Sequence, residues 1–384
     1  MPKVILKNVV ERIKDKVDKD NTDLEYYIGG EHFDNGEIQI SRKGIIAGST
    51  IGPAFHTRFM PGDVLLMSRN PHLRKASVVD FEGICSDVSY VCRTKDESVL
   101  MQKYLPFIFQ TDHFWKFAEE NKKGSTNFFL NWSDFEKYEF NLPSIEKQKK
   151  LVDLLWSFQE TKSAYKVMLE KTDEMVKSQF IEMFGDPTLN TKKLDVRPLG
   201  EISRSRLGKM LDKKQQTGQF LFPYLANYNV QWFELDLTSL NQMDFNEAEQ
   251  REFELQEGDL LVCEGGVVGR CAVWHGEMEK IFFQKAIHRV RCNTEIILPE
   301  YLMWNFKIHS DYNAFSDIVG NSTIAHLPGI KLKKIKIPIP KMDDQLRFVE
   351  LLQQSDKSKF ELKQGISDMD ALIKAFMVQV NAES

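Results

Sequence analysis

Residues 125–155 read STNFFLNWSDFEKYEFNLPSIEKQKKLVDLL, and residues 322–352 read STIAHLPGIKLKKIKIPIPKMDDQLRFVELL. At a step of 197 residues Ser125-Thr126 falls on Ser322-Thr323, Pro143 on Pro340, Gln148 on Gln345 and Leu155 on Leu352. Apolar positions keep the same step: Phe135 with Leu332, Tyr138 with Ile335, Phe140 with Ile337, Leu142 with Ile339. Further out, Tyr27 meets Tyr224, and Gly62-Asp63-Val64-Leu65-Leu66 meets Gly258-Asp259-Leu260-Leu261-Val262 at a step of 196. An ordered series of matches at nearly one offset is an internal duplication, which settles the architecture before any single element does.

Each copy has two parts. The first, 1–143 and 187–340, reads as a mixed domain. Strands are expected at Gly62–Met67, Phe140–Pro143 and Ile335–Pro340, and helical pieces at Met101–Glu120 and Pro299–Phe306. In Ile335/Ile337/Ile339 the apolar residues alternate with Lys334 and Lys336, the period of a strand with one face buried. Its prolines place it at a sheet edge.

The second part is a long helix. Residues 145–184 hold no Gly or Pro, and Gly185-Asp186-Pro187 stops the run. Leu151, Leu155, Phe158, Lys162, Tyr165, Leu169, Thr172, Val176, Gln179 and Met183 recur at alternating steps of four and three. Phe348, Leu352, Ser355, Lys359, Leu362, Ile366, Met369, Ile373, Phe376 and Val380 do the same, each 197 residues on. Two apolar seams of equal length and register are expected to pack on each other as a coiled coil. Gly365 costs the second helix about 1 kcal/mol. The segments are thus 1–143, 144–186, 187–340 and 341–384.

With 384 residues, 42% of them apolar and 28% charged, the chain has room for two cores and the composition of an ordered protein. No apolar run is long enough for a membrane span, and Met1-Pro2-Lys3-Val4-Ile5 lacks a signal-peptide core; a cytoplasmic location is expected. Five cysteines without a CxxC pair point to reduced, structural thiols. A net charge of −5 rules out a globally basic nucleic-acid binder, so any anion site is a local patch.

Catalytic constellations are absent. There is no GxxxxGK[ST], no GxGxxG after a strand, and no HxxxH or HExxH spacing, so neither a cofactor nor a metal is expected. Asn70-Pro71-His72-Leu73 lacks the second proline and the aromatic of the Asn-Pro-Pro-aromatic motif of amino-methyltransferases. Glu264-Gly265-Gly266-Val267-Val268-Gly269 has the glycines of an anion-binding nest, but a tight inter-strand turn needs them equally, and it is taken as a turn.

What remains is a set of polar loops suited to nucleic acid. Ser68-Arg69-Asn70, His72 and Arg74-Lys75 form an acid-free loop after the first Gly-Asp strand, and Arg42-Lys43 lie upstream. Arg204, Arg206, Lys209, Lys213, Lys214 and Gln215 open the second copy, within a stretch 192–214 that holds eight Lys/Arg against three Asp/Glu. Such side chains neutralise phosphates, and Arg, Asn and Gln form paired hydrogen bonds to base edges. The turns Ser125-Thr126-Asn127 and Asn321-Ser322-Thr323 serve equally as helix caps or phosphate donors.

Together these features resemble the specificity (S) subunit of a Type I restriction–modification system, over the whole chain. The motifs that carry the resemblance are the duplicated Gly62–Leu65 and Gly258–Leu261, the Ser-Thr turn before a Pro-ended strand, Gln148 and Gln345 at the helix starts, and the stop Phe184-Gly185-Asp186-Pro187. The resemblance implies an α+β fold. Two similar mixed α/β target-recognition domains would be separated by two long antiparallel helices forming a coiled coil, as a pseudo-twofold internal repeat. It implies that each domain reads one half of a split site in double-stranded DNA. The helices would set the spacer and dock methyltransferase subunits, two of them, with restriction/translocase subunits added, adenine being the methylated base. The subunit itself would be non-catalytic. Ser68-Arg69-Asn70 stands where the second copy has Glu264-Gly265-Gly266, so the two half-sites are expected to differ. The alternatives are the recognition part of a fused restriction–methyltransferase, or a coiled-coil scaffold that binds protein.

Overall fold

A computed structural model describes residues 2–212, 216–316 and 326–382, with side chains to residue 379. It divides into two compact units: residues 1–167 with 362–384, and residues 168–361. The division cuts both long helices, Ile145–Phe184 and Met342–Ala382, so that each unit owns one half of each.

In the first unit an antiparallel sheet has the strand order Val10–Ile13, Ser89–Thr94, Val64–Met67, Ala76–Val78. A second sheet orders Gly44–Ile45, Tyr26–Ile28, Gly83–Ser86, Phe55–Phe59, with its middle pair parallel. Val64–Met67 reads as an unbroken apolar run because both its faces are covered. Val64 and Leu66 join the core under the helices, and Leu65 joins the core shared with the second sheet. The second unit repeats this plan. Its first sheet orders Ser203–Leu207, Ile287–Cys292, Asp259–Cys263, Cys271–Val273. Its second orders Asn241–Asp244, Leu221–Leu225, Phe282–Phe283. Leu260 and Val262 face one core, Leu261 and Cys263 the other.

The expected strand Gly62–Met67 begins at Val64, because Gly62 (φ 91°) belongs to the preceding turn. Phe140–Pro143 is realised as Glu139–Asn141, paired with Lys3–Ile5. Ile335–Pro340 is realised as Lys336–Ile339, paired among the described residues with Asp195–Pro198 alone, the edge position its prolines require. Met101–Glu120 is broken into Gln102–Tyr104, Leu105–Phe109 and Asp112–Glu120, and Thr111 caps the last piece by accepting from Phe114 N.

Within each unit the two helix halves run antiparallel. In the first, Phe158 meets Phe376, Lys162 bonds Asp370 at 2.6 Å and Tyr165 lies against Gly365. In the second, Asp173 bonds Lys359 at 3.1 Å, and Phe180 and Phe184 pack on Phe348. All described seam positions are buried or half-buried. A Cβ at Gly365 would fall 2.5 Å from the Tyr165 ring, so Tyr165 accounts for the helix-weakening glycine. Val380, the last seam position, lies outside the residues whose side chains are described.

The duplicated motifs hold the frame together. Gln148, fully buried, accepts from Met101 N (2.9 Å) and donates to the carbonyls of Val99 (2.8 Å) and Pro143 (2.9 Å). Gln345, equally buried, accepts from Leu298 N and donates to Ile296 and Pro340, each residue 197 positions on from its counterpart. Asp63 accepts from Arg93 Nε and Nη2, each at 2.8 Å, and from the Met60 amide, and Asp259 accepts from Arg291 Nε and Nη2 at 2.7 Å and from the Gln256 amide. The Gly-Asp pair is therefore a turn closed by its own carboxylate and locked by an arginine two-pronged bond.

Candidate nucleic-acid interface

In both copies, the residue after the Gly-Asp strand is zipped to the segment that precedes the Pro-ended strand. Leu130 N donates to Ser68 O at 2.8 Å, and Tyr90 donates its hydroxyl to Leu130 O at 2.8 Å. Leu327 N donates to Glu264 O at 2.7 Å, and the His288 ring bonds Leu327 O at 2.9 Å. Isolated bridges join Arg69 to Phe129 and Gly265 to His326. The frame is the same and the side chains on it differ: Ser68, Arg69, Tyr90 and Phe129 in one copy; Glu264, Gly265, His288 and His326 in the other.

The first-copy site is a cleft of about 390 Å³ lined by Ser68, Arg69, Asp87, Tyr90, Asn127 and Phe129. Arg69 is exposed, and Asn70 is held left-handed (φ 52°) with its amide bonded to Phe128 O. Asn127 is exposed, and Phe129 offers an aromatic face to solvent. Arg12 lies 4.4 Å over the Tyr90 ring beside the cleft. A guanidinium, an amide and a ring in one concave site are groups able to form base-edge hydrogen bonds and to stack. Ser125 and Thr126 are exposed in the adjoining bend.

Other expected DNA contacts are placed differently. The Ser68 hydroxyl is buried on Val88 O, and Lys75 donates to Gly30 O at 2.7 Å. Arg74 reaches Asp112 at 2.7 Å, which also holds Lys374, so this end of the loop is tied to the helices. Arg42 pairs with Asp34, and Lys43 sits 3.5 Å over the Tyr26 ring. His72 is exposed.

In the second copy, Arg204 and Arg206 project from the edge strand on the same side as their cross-strand partners Arg291 and Arg289. Arg204 is exposed, while Arg206 pairs with Glu252 at 2.6 Å. Lys209 is nearly buried, with its ammonium on Asp244 O and Glu249, each at 2.6 Å. Lys213, Lys214, Gln215, Asn321, Ser322 and Thr323 lie outside the described residues.

The glycine-rich turn is built for backbone reasons, since Gly266 and Gly269 have φ of 75° and 79°. Its Glu264 is nearly buried: Oε1 lies 2.9 Å from His326 Nε2, and Oε2 has no hydrogen-bond partner among the described residues. Burial lowers the His288 pKa and keeps that ring neutral, and pushes the Cys85 and Cys292 thiols up to about 12, which leaves them unreactive. Phe129, Arg12 and His326 are not among the residues that the sequence singles out, and Glu264 is read there only as part of a turn. Only the duplication, which aligns Phe129 with His326, could have drawn attention to that pair.

Comparison with known proteins bears on what such a frame is for. The family model described as Type I restriction modification DNA specificity domain matches residues 7–168 and again 191–369. A Haemophilus influenzae sequence assigned as a type I restriction enzyme specificity subunit is 27% identical over 188 residues, 48% of this chain and 46% of its own length. The Methanocaldococcus jannaschii MjaX specificity subunit is 23% identical over 175 residues, 44% of this chain and 40% of its own. The matched stretch thus spans less than half the length of these relatives. A solved structure of a type I restriction–modification complex contains a chain of similar fold, at TM-score 0.59 and 16% identity, over 99% of this chain and 97% of that one. The S subunit from M. genitalium gives TM-score 0.58 and 13% identity over 99% and 96%. No described helix is long and apolar enough to cross a membrane.

Proposed function

Because this chain belongs to the Type I restriction modification DNA specificity family, we propose that it is the DNA-reading, non-catalytic subunit of such a system. Each of its two copies reads one half of a split site in double-stranded DNA. The antiparallel helices form the coiled coil that sets the unread spacer between the halves and docks methyltransferase subunits, two of them, to which restriction/translocase subunits are added.

The observation that carries this reading is the pair of equivalent sites with unlike chemistry. One frame, built twice, presents Arg69, Asn127 and Phe129 in the first copy and Glu264 and His326 in the second. A frame conserved within the chain with divergent groups upon it fits two different half-sites, hence an asymmetric target. The proposed interface is narrower than the full set of basic loop residues. Arg69, Asn70, Asn127 and Phe129 face half-site one with Ser125 and Thr126, and Arg204 and Arg206 supply phosphate contacts for half-site two. Ser68, Lys75 and Lys209 hold the fold.

The test is to express the chain with its methyltransferase subunits and map methylated adenines across a genome. A two-part asymmetric motif with a fixed gap is expected. A palindromic or contiguous motif overturns the reading, as does methyl transfer by this chain alone.

A further inference from the structure

We propose that His326, held by Glu264, is the base-reading group of the second half-site; this rests on the DNA-recognition reading above. In the first copy the structurally equivalent position, Phe129, lines the concave site beside Arg69. In the second copy the turn residue is Gly265, which has no side chain to offer, and the only exposed polar group on the equivalent bridge is the His326 imidazole. It is 52% exposed, whereas the Glu264 carboxylate that holds it is 5% exposed.

The geometry decides which atom is left to read. His326 Nε2 lies 2.9 Å from Glu264 Oε1, so the ring is held through its Nε2 edge and Nδ1 lies on the opposite edge. Glu264 is a purposeful partner and not a solvated side chain. It sits next to the end of the Asp259–Cys263 strand, its amide is bonded to Ala286 O, and its second oxygen is buried with no hydrogen-bond partner among the described residues. Neighbouring His288 cannot do the same work. Its ring is fully enclosed and committed to Leu327 O, and it lies 3.9 Å from Glu264 Oε1. A buried carboxylate orienting an exposed imidazole is the arrangement that fixes one ring edge toward a ligand. The ligand here is a base edge in the major groove, where a single well-placed side chain distinguishes base pairs.

The test uses the chain assembled with its methyltransferase subunits and a binding selection over DNA randomised in both half-sites. His326→Ala is expected to relax choice at one position of half-site two, about 5- to 150-fold in discrimination, and to leave half-site one unchanged. Glu264→Ala is expected to relax the same position, and the double variant to be no worse than His326→Ala, because the carboxylate acts through the ring. His326→Gln is expected to move the preference at that position toward adenine, whose N6 and N7 an amide matches. Unchanged selectivity in His326→Ala overturns the inference. So does a uniform loss of affinity for every half-site-two sequence, which would make His326 a phosphate contact. An intact half-site one in each variant shows that the protein has folded, and failure of the parent assembly to select any DNA would overturn the functional reading itself.

Discussion

Replacing Gln148 by Leu tests whether the duplicated glutamine is a clasp. The side chain fills one buried pocket and makes three bonds: from Met101 N, and to the Val99 and Pro143 carbonyls. Leucine has a similar volume but no polar atoms, so one N–H and two C=O groups lose their partner. A buried backbone group left unpaired costs about 1–3 kcal/mol. The Pro143 bond is fully buried and carries the whole penalty, whereas the other two are part-buried and water relieves them. With about 1 kcal/mol remaining at each of those two, the total of ~3–5 kcal/mol is set against the ~1–2 kcal/mol gained by burying the leucine methyls, for a net loss of about 1–4 kcal/mol. Gln345→Leu is expected to cost the same in the second unit, where the bonds repeat. Urea titration followed by pulsed hydrogen exchange reads the two units separately, so each variant is expected to lower protection in its own unit. Gln148→Glu adds a sign test. Its carboxylate would still accept from Met101 N but would face two carbonyl oxygens, which raises its folded pKa. Its stability is therefore retained below the unfolded value of about 4.3 and lost as pH rises. Losses within about 0.5 kcal/mol for both Leu variants, the range of a surface substitution, would refute the clasp.

Arg69→Ala and Asn127→Ala are expected to relax half-site one by about 1–3 kcal/mol at single positions, read by binding selection, without changing half-site two. Lys209→Met is expected to leave DNA choice unchanged and to lower the urea midpoint of the second unit, because its ammonium is bonded to Asp244 O and Glu249 inside the fold. Inserting one heptad into each helix, near Lys162 and near Lys359, adds ~10.5 Å and is expected to lengthen the preferred spacer by about three base pairs in a spacer-length library. His288 and His309 both have pKa values lowered by burial, so the folded chain keeps them neutral while the unfolded chain binds protons. Stability of the second unit is therefore expected to fall as pH drops below about 6.5, and His309→Gln to blunt that fall in a denaturant series between pH 5 and 7.

The features legible in the sequence are those with a period or a repeat. The seams from Leu151 and from Phe348 declare their helices because apolar spacing of three and four leaves little else to form. The step of 197 residues turns weak local matches into a duplication, and Gly62-Asp63 and Gly258-Asp259 mark the same turn twice. Where a partner lies far along the chain, no local pattern announces it. Lys209 stands in a basic loop like any solvated cation, yet Asp244 and Glu249, 35 and 40 residues away, enclose it. Arg69 and Phe129 meet only because Leu130 N finds Ser68 O across the sheet end, and Glu264 meets His326 through the same bond between Leu327 and Glu264. A strand that reads as buried on both faces says nothing about which loop closes over its end. The division of labour follows from this. The repeated residues are those whose partners are repeated with them, such as Gln148 with Pro143 and Gln345 with Pro340, and they build the frame. The residues at the end of that frame have no repeated partner to satisfy, so Arg69 and Gly265 can differ, and Phe129 and His326 with them. On the function proposed above, the positions free to diverge on this duplicated frame are those at which two half-sites would be told apart.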